Sequence, residues 1–160
     1  ADGLLVMPFH SARHFRERTL PAVEEGLALA GRERLDLYPQ AIVAMGTTPE
    51  EIEAASVGVR GLLAFYGSTP AYRSVLEVEG WGDLQPELNA LSKTGDIMRM
   101  IDLVDDDMLR TLAVVGTPEE CATEIKHRFG DVAERVCAYF PGSQHPTATI
   151  RALAEALRSE

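Results

Sequence analysis

Apolar and polar positions along this chain repeat one phrase: a short apolar run, a small polar turn, then a longer amphipathic stretch. The short runs have the length of buried strands, and the longer stretches carry apolar residues at the roughly 3.6-residue period of a helix. Repeated in that order, the phrase is the βα unit of a parallel sheet. The first unit joins Leu4–Met7 to a helix from about Ala12 to Ala30, with Ser11 as N-cap and Gly31 as its stop. Phe15, Thr19, Ala22, Val23, Gly26, Leu27 and Ala30 share one face of that helix, and Pro21 predicts a kink or break within it.

The second unit runs from a strand at Leu37–Met45, through Gly46-Thr47-Thr48-Pro49-Glu50-Glu51, into a helix carrying Ile52, Ala55, Ser56, Val59, Leu62, Leu63 and Tyr66 on one side. Thr48 and Glu51 match a capping box, and Pro49 suits the first helical position. Pro39 predicts a strand end or bulge. A third unit repeats the turn: Leu112–Val115, then Gly116-Thr117-Pro118-Glu119-Glu120, then a helix that places Cys121, Ala122, Ile125 and Phe129 inward. The last unit is Arg135–Phe140, a turn at Pro141-Gly142-Ser143, and a helix with Ile150, Leu153, Ala154 and Leu157 apolar. Between the second and third units, residues 67 to 111 read as an insertion of short helices. Insertions of that length cover a site or make a subunit contact.

Three to four βα units fit either a doubly wound open sheet or part of a closed (β/α)8 barrel. The chain opens directly on its first apolar strand, without initiator Met, leader or cap. That start favours the barrel, with residues 1–160 a single domain or half-domain whose strand edges lack neighbours.

Composition narrows the classes. A hydrophobic content of 46% with 25% charged residues is that of a folded chain. A net charge of −10 without a basic stripe argues against a nucleic-acid partner. No apolar run has the length of a membrane span, and no secretory leader is visible. Cys121 and Cys137 form no CxxC pair; two thiols of buried appearance suit a reducing, cytoplasmic setting. There is no GxGxxG, P-loop or nucleophile elbow. Asp105-Asp106-Asp107 reads as the acidic opening of a short helix, and no set of metal ligands is evident.

Four stretches are together distinctive: Ala-Asp-Gly-Leu-Leu-Val (1–6), Gly-Leu-Leu-Ala-Phe-Tyr-Gly-Ser-Thr-Pro-Ala-Tyr (61–72), Val-Val-Gly-Thr-Pro-Glu-Glu (114–120) and Arg-Val-Cys-Ala-Tyr-Phe-Pro (135–141). In their order and spacing the chain resembles the C-terminal half of the bacterial luciferase-like monooxygenase superfamily, in the branch that uses the deazaflavin coenzyme F-420. The resemblance implies an α/β fold: a partial (β/α)8 TIM barrel whose missing N-terminal half-barrel carries much of the cofactor pocket. It implies an oxidoreductase parent exchanging hydride between coenzyme F-420 and a small organic substrate, this piece being inactive alone. An FMN-dependent monooxygenase of the same fold, and a non-catalytic half-barrel that self-associates as a homo-oligomer, are the alternatives.

Barrel active sites gather where strands end and helices begin. Those places are Met7-Pro8-Phe9-His10-Ser11, Met45-Gly46-Thr47 and Phe140-Pro141-Gly142-Ser143. His10 is the best-placed titratable group, as a proton carrier or ring-carbonyl partner, or else as a loop histidine bonded to backbone. The helix after Ser11 opens with Arg13 and Arg16 before its first acid. Its N–H groups and those arginines would receive the anionic tail of a deazaflavin, or else pair with Glu17 or Glu24. Phe9, Ser11, Arg13, Arg16 and Ser143 are the cofactor-binding candidates, and the acid-free start of the last helix is a second anion candidate.

Overall fold

In the computed structural model, which describes residues 2–133 and 135–159, the phrase folds as its pattern demands. Strand β1 (Gly3–Val6) leads to α1 (Ala12–His14), a π-helical turn (Phe15–Thr19) and α2 (Leu20–Ala30). Strand β2 (Asp36–Met45) leads to α3 (Pro49–Gly67). The insertion holds a 3-10 turn at Pro70–Tyr72, then α4 (Arg73–Val78), α5 (Leu84–Thr94), α6 (Ile97–Asp102) and α7 (Asp106–Leu112). Strand β3 (Val114–Gly116) leads to α8 (Pro118–Phe129), and β4 (Cys137–Tyr139) to α9 (Thr147–Arg158).

Strand β2 is the hub. It pairs in parallel with β1 over Asp36–Pro39, with β4 over Gln40–Ile42 and with β3 over Val43–Met45. Every side chain from Ala41 to Met45 is buried, the unbroken apolar run expected of a strand covered on both faces. Alternation splits those residues between two cores. Ile42 and Ala44 join Val59 and Leu63 of α3 and Leu76, Leu88, Met100 and Met108 of the insertion. Ala41, Val43 and Met45 join Cys121, Ile125 and Phe129 of α8 and Leu153 of α9.

The local signals hold where they are self-contained. Ser11 Oγ accepts the His14 N–H, Thr48 Oγ1 accepts the Glu51 N–H, and Asp105 accepts the Met108 N–H. At α3 the expected box is half made, since the Glu51 carboxylate accepts from Thr47; at α8 it is complete, with Thr117 and Glu120 each accepting the other's backbone N–H. Pro39, by contrast, marks neither a strand end nor a bulge: β2 continues past it in regular register, with Pro39 opposite Val6.

Four further expectations are corrected. The strand expected at Leu112–Val115 begins only at Val114, because Leu112 closes α7 and the Ala113 N–H bonds to the Leu109 carbonyl. The last strand is Cys137–Tyr139, shorter than Arg135–Phe140. Cys137 is exposed, whereas Cys121 is buried. The break near Pro21 comes earlier, as the π-helical turn ending at Thr19, where the Leu20 N–H reaches back to the Phe15 carbonyl. A proline ring crowds the carbonyl four residues before it, and widening the preceding turn relieves that clash. The apolar face of this helix is largely bare: Phe15 is buried, but α2 buries no residue.

Candidate functional site

The three strand-end loops do not converge on one place. The first turns inward. Phe9 packs against the rings of Tyr66 and Tyr72, at centroid distances of 5.6 and 6.0 Å. His10 is 4% exposed, its ring 5.4 Å from Phe15 and 5.6 Å from Phe129. Both ring nitrogens are buried without a hydrogen bond of standard geometry. Loss of water lowers its pKa to about 4, the positive charges of His14 and Arg128 add to the shift, and the backbone of Ser11 and Gln40 opposes it. At neutral pH this is an uncharged ring in an aromatic box.

The other first-loop candidates are also engaged. Besides capping α1, Ser11 donates to the Glu79 carboxylate, which ties the β1–α1 loop to the insertion. Arg13 pairs with Glu17 at 2.8 Å. Arg16 forks onto both carboxylate oxygens of Asp131 and donates to the Arg128 carbonyl. The His10 region and the two arginines are therefore held by protein partners.

The second and third loops do meet. Gly58 on α3 allows it: a Cβ there would lie 2.8 Å from the Pro141 carbonyl oxygen. Gly142, with φ +71°, turns the chain away at the same contact. Between the start of α3 and the loop into α9 lies a cleft of about 340 Å³, at the carboxyl ends of β2 and β4. Met45, Thr47, Glu51, Ser143 and His145 line it. The Glu51 carboxylate accepts the Thr47 N–H and hydroxyl, both at 2.7 Å, and these bonds hold its pKa below the usual carboxylate value. His145 stands edge-on to Phe140 at 4.9 Å, and its Nε2 is buried without a hydrogen-bond partner. Helix α9 begins beside it with no side-chain cap and no acid in its first turn.

Of the residues singled out in the sequence, Ser143 lines this cleft, while Phe9, His10, Ser11, Arg13 and Arg16 do not. In the sequence Glu51 reads as a capping residue, and His145 lies in Ser143-Gln144-His145-Pro146-Thr147, just before the acid-free start of the last helix. The available signal was position: both flank the end of a strand. Elsewhere, burial raises the Cys121 thiol to about 12, so it is inert at neutral pH. Among the described residues no group of three His, Cys, Asp or Glu side chains is arranged to hold a metal ion. No helix of the described residues is long and apolar enough to cross a membrane.

Comparison with known proteins supplies what geometry alone does not. The family model for luciferase-like monooxygenases matches residues 1–135. The chain belongs to that family. Among curated relatives are uncharacterized proteins of Mycobacterium bovis and Mycobacterium tuberculosis, each 45% identical over 142 residues, covering 88% of this chain and 42% of the relative. Among solved structures, the coenzyme F-420 dependent tetrahydromethanopterin reductase from Methanopyrus kandleri superposes with a TM-score of 0.70 at 22% identity. The match covers 98% of this chain and 44% of that one. The fold is thus α/β, a partial (β/α)8 barrel, and the chain spans less than half the length of these proteins.

Proposed function

We propose that this luciferase-like chain contributes the C-terminal part of a flavin- or deazaflavin-dependent oxidoreductase, and that the cleft between α3 and α9 receives the polar part of the cofactor. The observation that carries this reading is the cleft's place, at the carboxyl ends of parallel strands, where barrels of this kind bind ligands. The residues present fit that role. Ser143 offers a hydroxyl, the first turn of α9 offers N–H groups unopposed by acid, and the unpaired His145 stands beside them. When bound, the cofactor supplies the hydride chemistry. The chain's own contribution is to hold its polar groups, with Glu51, whose carboxylate accepts from Thr47, lining the same cleft. His10 sets the β1–α1 loop through its contacts with Phe15 and Phe129.

Coenzyme F-420 is the cofactor proposed first, with FMN and molecular oxygen as the alternative, and a small organic molecule as substrate. The test is a titration of both cofactors into a full-length family member that contains this segment, followed by fluorescence quenching and visible absorbance. Binding of F-420 with a Kd of about 10 µM or tighter, weakened by Ser143→Ala and His145→Ala, supports the reading. Failure of both cofactors at that concentration overturns it.

A second reading has its own support. The apolar face of α2 and the exposed Leu4 and Leu5 of β1 are a ready template for self-association of this chain. Light scattering decides it: a dilute, folded monomer removes the reading.

A further inference from the structure

A groove of about 780 Å³ runs between α3 and the α6–α7 corner. Its apolar surface is Val57, Met98 and Ile101, with Val57 51% and Met98 69% exposed. Helices α3 and α6 touch at Gly61, where a Cβ would meet Ile101 at 3.8 Å, so the groove has a firm floor. Its rim is acidic. Asp105 is spent on capping α7, and Asp106 is held by Arg60, whose guanidinium also donates to the Val104 carbonyl. Glu53, Asp102 and Asp107 are exposed and have no basic partner among the described residues. Among the described residues Arg60 is the sole basic one lining the groove, and it is consumed.

From this charge pattern we infer that the groove between α3 and the α6–α7 corner docks a basic amphipathic helix belonging to a different protein. Such a helix lays an apolar stripe on Val57, Met98 and Ile101 and aims Lys or Arg at Glu53, Asp102 and Asp107. Met98 is flexible and polarizable, and suits a surface that must adapt to a partner's side chains. The other occupants fit worse. A second copy of this chain, at net charge −10, brings like charge to an acidic rim. An anionic membrane surface is repelled for the same reason. A lone metal ion lacks a converging ligand set among the described residues. The inference is independent of the cofactor reading, because none of the groove's residues lines the α3–α9 cleft.

The probe is a fluorescein-labelled Leu/Lys peptide designed as an amphipathic helix, compared by anisotropy with a scrambled peptide of the same composition that has no apolar stripe. At low salt the amphipathic peptide is expected to bind about tenfold more tightly than the scramble. Asp102→Asn with Asp107→Asn should weaken it about fivefold and flatten its salt dependence. Val57→Ser with Met98→Ser should erase the preference over the scramble. A control pair on α2, Glu24→Gln with Glu25→Gln, removes the same charge and should leave binding unchanged. All six exchanges are at exposed positions, so the far-UV circular dichroism and Tm of the parent are expected to persist. Equal binding of the two peptides, or equal loss in the control pair, overturns the inference.

Discussion

The first and second βα units are written in the same phrase, yet the second is packed along its whole length and the first at one end only. In the second, β2 is covered on both faces and α3 buries Ala55, Ser56, Val59, Leu63, Ala64 and Gly67. In the first, the loop after β1 and the start of its helix are sealed by Phe9, His10 and Phe15, while α2 buries nothing and Leu29 is 84% exposed. An amphipathic pattern states that a face wants cover; burial requires a neighbour to provide it. For α3 the insertion helices are that neighbour. For α2 the cover is partial: Leu20 and Val23 rest against the second core, while Val23 and Leu27, with the nearby Leu4 and Leu35, line an open apolar groove.

This contrast breaks most readily at Phe15, the buried anchor of the first unit. Phe15→Ala is expected to cost about 4 kcal/mol and to free α2 as a unit, read by urea denaturation with hydrogen exchange. Leu63→Ala in α3 should cost about 3 kcal/mol. In the parent, α2 amides should exchange through local opening, and those of α3 and β2 only through global unfolding. Equal protection of α2 and α3 would erase the distinction between the units.

Acid should strike the same anchor. The pKa of His10 is lowered in the folded state to about 4, against an unfolded value of 6.5, so between those values the unfolded chain binds more protons. Its neutral ring is fully accommodated above pH 6.5, and stability falls as pH drops towards 4, by about 3 kcal/mol from this residue. Chemical denaturation across that window checks the slope. In His10→Leu this leg of the pH dependence should disappear.

Smaller effects sharpen the picture. Thr117→Ala removes one half of the α8 capping box and should cost about 1 kcal/mol, without altering the first unit's exchange. Leu29→Ser, on the exposed side of α2, should change stability by less than about 0.5 kcal/mol. A loss well above that would mean that α2 is covered in solution, and would favour the self-associating reading.

The capping residues Ser11, Thr48, Asp105 and Thr117 are all where the chain's local pattern put them, because a cap is settled within one turn of helix. The site was less legible. Ser143 could be nominated from its place after a strand, but its meeting with Glu51 depends on Gly58 letting α3 approach Pro141. His10 drew attention as a strand-end histidine, and it is Phe129, on a distant helix, that encloses it. For Arg13 and Arg16 the sequence leaves open an anion or a pairing with Glu17 or Glu24; Arg13 does pair with Glu17, whereas the partner of Arg16 is Asp131, from a distant part of the chain.

Taken alone, the amino-acid order determined the alternation of strand and helix, the caps that start α3, α7 and α8, and the family to which the phrase belongs. Those properties rest on hydrogen bonds and periodicities that reach only a few residues. Tertiary structure alone decided that β2 would pair with three strands in succession, that His10 would be an uncharged core group, and that α2 would lie bare. The physical reason is that burial and charge state depend on what packs against a residue from elsewhere in the chain, and a one-dimensional pattern does not carry that information.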